Sequence, residues 1–156
     1  MSLAVHALLV RLRAHGREGG SALVEFVFLG VLVLVPLIYL VMVLARLQAG
    51  AYAASAASRE AGRAFVTATT PGAAAGRAEA AARIAFEDQG FRSGEARLTM
   101  SCDGTPCLRP DGRIEMVATV TVPLPLVPAF ARDVVPLEVP LTARHLAVVD
   151  RFRGAP

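Results

Sequence analysis

Residues 20–46 read GSALVEFVFLGVLVLVPLIYLVMVLAR, and this stretch decides the architecture. From Phe26 to Ala45 it runs for 20 residues without a charge, and Arg46 closes it. As an α-helix such a run extends about 30 Å, the thickness of a bilayer's hydrocarbon core. The competing reading is a core helix of a soluble domain. A helix that is apolar on every face needs protein around its whole circumference, and a chain of 156 residues has too little left to supply it. Residues 21–45 are therefore read as one transmembrane helix in the cytoplasmic membrane. Pro36 lies inside it, either as a kink or as a tolerated membrane proline.

Upstream, residues 1–20 read MSLAVHALLVRLRAHGREGG. Arg11, Arg13 and Arg17 make this piece basic, and Gly19-Gly20 ends it. An ordinary secretory signal has a shorter apolar region, with a small-residue cleavage site after it. Neither is present here, so if a leader is removed, the cut is expected before the apolar run, at the double glycine. The positive-inside count is nearly tied, because Arg46, Arg59 and Arg63 follow the run. The short N-terminal piece and the cysteine pair discussed below tip the expectation to N-terminus inside, C-terminal domain outside.

Downstream, the helical pattern continues as an Ala-rich extension over 46–69. Ala49, Ala53, Ala56, Ala57, Ala61 and Ala64 recur at helical spacing. Such small faces let neighbouring helix backbones approach closely. Pro71 forces the preceding residue out of helical geometry and suits a first helical position, with Thr70 as N-cap. A second helix is predicted over 71–89. Ala74, Ala78, Ala81 and Ala85 would share one face, Glu79, Arg83 and Glu87 the opposite one, with Glu79 and Arg83 in pairing order. Gly90 is the expected C-terminal cap.

From Ala96 the period changes to two. Leu98, Met100 and Cys102 alternate to one side, and so do Ile114, Met116, Ala118, Val120 and Val122. Pro110-Asp111-Gly112 marks a turn between these strands. A third strand is predicted over 137–149, with Leu137, Val139, Leu141 and Ala143 alternating and Pro140 marking an edge or a bulge. Residues 123–136, PLPLVPAFARDVVP, are too Pro-rich for a strand and read as a cover or a contact surface. The expected fold class is α+β: a long N-terminal transmembrane helix continuing into an Ala-rich helix, a second helix, then a small antiparallel three-stranded sheet. Residues 71–150 would form an extracytoplasmic domain and 151–156 a tail.

The chemistry-bearing residues are few. Cys102 and Cys107 flank Asp-Gly-Thr-Pro, a segment made for tight reversal. They are read as a loop-closing disulfide in an oxidising compartment, or as two reduced thiols that lie close. A metal site would need further ligands, and neither a second Cys pair nor a local His provides them. His6, His15 and His145 are far apart, and His145 falls in a strand pattern as a surface or partly buried residue. There is no phosphate loop, and Ser55 and Ser58 near Glu60 form no nucleophile motif. The net charge of +3 is scattered, with no basic stripe, so no nucleic-acid partner is expected. No cofactor is implied, and an enzyme is not expected.

Glu25 is the one charge at the head of the apolar run, five positions after Gly20. A charge inside the hydrocarbon costs about 2.5–3.5 kcal/mol on insertion scales, and less near the interface. On these grounds alone it is either an idle interfacial carboxylate or a paired group. Gly-Ser-Ala-Leu-Val-Glu-Phe at 20–26, with basic residues before it and an apolar helix after it, resembles the processing site of type IV pilin-like proteins. The closer likeness is to the TadE-like minor pilins of the tight-adherence (Tad, Flp pilus) system. Residues 56–64, Ala-Ala-Ser-Arg-Glu-Ala-Gly-Arg-Ala, resemble that family's post-membrane helix. The likeness covers residues 16–66, and Ser21 stands where major pilins carry Phe.

The resemblance implies a prepilin peptidase as partner, cutting between Gly20 and Ser21 and leaving Glu25 at the fifth mature position. It also implies other pilins or minor pilins and a Tad-type assembly platform as partners, and a place in pilus assembly. In that setting Glu25 of one subunit would pair with the Ser21 amine of another and fix their register, because breaking a desolvated pair leaves a charge without a partner. The alternative is an unprocessed, signal-anchored envelope protein whose β domain binds a partner or the cell wall.

Overall fold

A computed structural model describes the backbone of residues 2–124 and 137–153, and the side chains of 22–124 and 137–153. The described part of segment 123–136 is therefore only its first two residues. The chain divides into two units, Met1–Met42 and Val43–Pro156, and the helix α1, Ser2–Val66, contributes to both. The order after it is α2 (Pro71–Asp88), β1 (Ala96–Cys102), β2 (Arg113–Pro123) and β3 (Glu138–Val148). The fold is α+β, with an antiparallel sheet in the order β1-β2-β3.

In the first unit α1 carries the apolar run. From Ala22 to Met42 nearly every residue is exposed, with Phe26 at 74%. Pro36 lies within the helix. This is one helix long and apolar enough to cross a membrane.

The second unit is the folded head. α1 gives it a buried face of small residues: Gly50, Ala53, Ala54, Ala57, Ser58, Ala61 and Gly62, completed by Phe65. The spacing is that of one helical face, and the small side chains let the sheet come close. A Cβ on Gly50 would sit 2.5 Å from Val122 Cγ2 and 3.0 Å from Leu141 Cδ1. One on Gly62 would sit 2.9 Å from His145 Cδ2 and 3.1 Å from Ala147 Cβ. Ser58 is the buried polar residue of this face, and its hydroxyl donates to the Ser55 carbonyl at 3.1 Å.

α2 starts as its proline dictates. Thr70 is extended (φ −129°, ψ 148°) at the N-cap, yet its hydroxyl makes no capping bond; instead its carbonyl accepts from Ala73 N–H. Its buried face is Ala74, Ala78, Ala82, Ala85 and Phe86. Ala82 therefore takes the place expected for Ala81, because Phe86 is part of the face and rotates it. Arg83 pairs with Glu87 at 3.2 Å, rather than with Glu79. The helix ends in a Schellman motif around Gly90 (φ 75°). Gly90 N–H donates to Glu87 O, and Phe91 N–H to Phe86 O. The accompanying apolar pair is Phe86 and Phe91, both in the core.

The strands carry the period-two pattern into the core. Ile114, Met116, Ala118, Val120 and Val122 of β2 are all fully buried. β2 is central, and both neighbours pair with it without a break in register. Pro140 opposes Thr121 on the edge strand β3, the setting in which a strand tolerates a missing N–H. The turn before β2 has Pro110 and Asp111 at its centre. Gly112 N–H donates to Arg109 O at 2.9 Å, and Asp111 has φ 57°, a type II arrangement.

Candidate functional site

Three places combine unusual chemistry with position. The first is the head of the apolar run. Glu25 is exposed on α1, the sole charged residue between Ala22 and Ala45. The residues one turn on, Phe28 and Leu29, are exposed and apolar. A carboxylate in that setting has no intramolecular partner among the described residues. Gly20 and Ser21 belong to α1 by backbone; their side chains lie outside the described residues.

The second is the β1–β2 connection. A disulfide joins Cys102 and Cys107, with Cα atoms 5.5 Å apart. Around it, Asp103 N–H donates to Arg113 O, and Arg113 N–H returns to the Asp103 carboxylate at 3.1 Å. Arg109 reaches the same carboxylate at 2.9 Å. The Arg113 N–H foremost, with Arg109 after it, holds Asp103 below the ordinary carboxylate range. Leu108, next to the second cysteine, is buried. The connection is therefore a cross-linked loop with its own charge pair. Among the described residues no cluster of three His, Cys, Asp or Glu side chains could hold a metal ion.

The third was not legible in the sequence. α2 and β1 flank a groove of about 300 Å³ with Phe86, Phe91 and Leu98 on its floor. Its walls carry Glu79, Arg83, Glu87 and Arg92. Alternation put Leu98 on the inner side, but not which helix faces it, nor that a channel stays open between them.

One expectation changes at this level, and one holds. The Ala-rich face of 49–64 was expected to serve close approach between subunits. Ala53, Ala57 and Ala61 instead pack inside the head, fully buried. Ala49, Ala56 and Ala64 remain only partly buried. His145 is a partly buried strand residue, set against the Gly62 position of α1.

Arg46, the charge that closes the apolar run, sits with its guanidinium 4.9 Å from the centroid of the Phe91 ring. At such distances a cation is attracted to the ring face. Its charge thus belongs to the head's packing. At the other end of α1, Arg153 donates to the carbonyls of Val66, at 2.7 Å, and Ala68. A cation there satisfies carbonyls that a helix end leaves open and complements the dipole.

No protein-family model, curated protein or solved structure matches the chain.

Proposed function

We propose that the chain is a TadE-like minor pilin or pseudopilin of the bacterial envelope. A prepilin peptidase cuts it between Gly20 and Ser21, and it takes part in assembling a Tad/Flp-type pilus. The observation that carries this reading is Glu25. It is a lone exposed carboxylate at the head of a span-length apolar helix, five residues after a glycine that follows a basic leader. Retaining it against an insertion cost makes sense if the group finds a cation inside the membrane. The new amine of Ser21 in a neighbouring subunit is such a cation.

In this reading the leader stays in the cytoplasm and the head lies outside, where a disulfide persists. The chain works by association with other pilins and an assembly platform, without catalysis of its own. N-terminal sequencing of protein extracted from membranes tests it. A mature chain beginning at Ser21 is expected. An intact leader refutes the processing and leaves a permanently anchored envelope protein.

A further inference from the structure

Two features of β1 meet in one place: an unpaired strand edge and the groove beside it. Thr121 N–H donates to Glu95 O at 2.7 Å just before the strand, and Asp103 N–H donates to Arg113 O at 3.0 Å just after it. In an antiparallel ladder, residues that bond to the neighbour alternate with residues whose N–H and C=O turn away from it. Glu95 and Asp103 both bond toward β2, and the register between them is unbroken. Hence Arg97, Thr99 and Ser101 bond to β2, while Ala96, Leu98, Met100 and Cys102 turn their backbone groups outward. Among the described residues no strand pairs with that edge.

The same reasoning applied to β3 separates the two edges. Leu124 N–H bonds to Leu137 O, and Val149 N–H bonds to Gly112 O. The outward positions of β3 are therefore Glu138, Pro140, Thr142, Arg144, Leu146 and Val148. Pro140 occupies one of them without a donor, the device by which natural edges discourage pairing. β1 has no such block. Beside its first half lies the groove, lined by Ala96 and Leu98 from the strand and by α2 across from them.

We infer that this edge and groove are a docking site for an extended segment of a partner polypeptide, which adds to β1 as a fourth strand. The occupant's chemistry follows from what the site offers. An alternating row of N–H and C=O groups is complemented by another extended backbone. The floor of Phe86, Phe91 and Leu98 takes apolar side chains, which an added strand presents at every second residue. The walls carry both signs, and Arg83 is already paired with Glu87, so they select no net charge. This assignment does not depend on whether the leader is processed.

A phage-displayed library of random 12-residue peptides, selected against the full chain in lipid nanodiscs, supplies the probe. Selected peptides are expected to carry apolar residues at alternate positions and to bind saturably. Binding should slow hydrogen exchange at the Ala96 and Leu98 amides. Leu98→Pro removes one outward N–H and spares the bonds to β2, and it should weaken binding at least tenfold. Leu98→Ala keeps the N–H and should weaken it less. N-methylation of the peptide's ladder-forming amides should abolish binding; this arm decides the matter if Leu98→Pro does not fold.

The site is refuted if no peptide is enriched, if N-methylated peptide binds equally, or if protection appears along Thr142–Leu146 instead. Slow exchange of the Ala96 and Leu98 amides in the peptide-free monomer would show that the edge is already covered, and would refute it too. Protection that grows with protein concentration, with no peptide present, would assign the edge to a second copy and overturn a foreign strand.

Discussion

The two halves of α1 solve opposite problems with the same backbone. Residues 22–42 are mostly large and apolar, and almost all are exposed. Residues 50–65 are mostly Ala, Gly and Ser, and those on one face are almost wholly buried. In the first half bulk is useful, since each buried CH₂ gains about 0.8 kcal/mol on leaving water for an apolar medium. In the second half proximity is useful, and bulk would hold the sheet away. A helix facing a fluid can carry any large side chain; a helix facing a fixed surface must match it. The difference teaches that hydrophobicity alone does not locate a core, and that in this chain the smallest residues mark the tightest packing.

The sharpest way to break the comparison is to put the same bulk in both halves. Gly50→Leu should destabilise the head by about 3 kcal/mol or more, since its Cβ alone overlaps Val122 at 2.5 Å. Gly30→Leu meets nothing within 4 Å and should leave head unfolding unchanged. Denaturant unfolding of the two variants, followed in the same detergent, checks this; equal midpoints would erase the contrast.

Next in size is the cross-link, which only the head possesses. Cys102→Ser with Cys107→Ser should cost about 2 kcal/mol, the loop-closure value for a ring this short. Membrane insertion should be untouched. A melting temperature that is insensitive to reductant would show that the hydrogen bonds around Asp103 hold the loop unaided.

A smaller loss is expected at the helix end. Arg153→Ala should cost about 1 kcal/mol, as the Val66 and Ala68 carbonyls trade a charged donor for water. Hydrogen exchange at the last turn of α1 should rise, while exchange in its apolar half stays as it was.

The smallest effect is a pH dependence. The folded pKa of Asp103 is depressed below its ordinary 3.8. Its contribution is therefore complete above that value and is lost as pH falls through the folded pKa. Asp103→Asn should lower head stability slightly at neutral pH and flatten the acid limb, so that the two proteins converge as the pH falls. An unaltered acid limb in thermal melts would assign that limb to other carboxylates.

Much of the head was legible because it obeys strong local rules. Pro71 starts α2, Gly90 stops it, Pro110-Asp111-Gly112 turns the chain, and the inward residues of β1 and β2 follow from alternation. Pro140 announced an edge or a bulge, and the structure shows the edge. What stayed hidden depends on what each face meets. Ala81 and Ala82 are identical as residues, and only the position of Phe86 relative to the sheet selects Ala82. The Ala-rich face reads equally well as a subunit contact or a core, since close approach is all that its composition encodes. Of the proposed site, the junction at Gly20, Ser21 and Glu25 was visible as a motif, because a lone charge beside an apolar run stands out in one dimension. The groove between α2 and β1 was not, because it is a gap between elements brought together by the fold.

Arg153 closes the end of α1 from 87 residues further along the chain. Ribosomes add about 5–20 residues per second, so a newly made α1 waits roughly 4–17 s for its last carbonyls to be met. During that interval the helix has been written, and the Val66 and Ala68 carbonyls face water. The head is thus finished in an order set by synthesis: the helix comes first, the strands that press on its small face come after it, and the side chain that seals it arrives only once all of them exist.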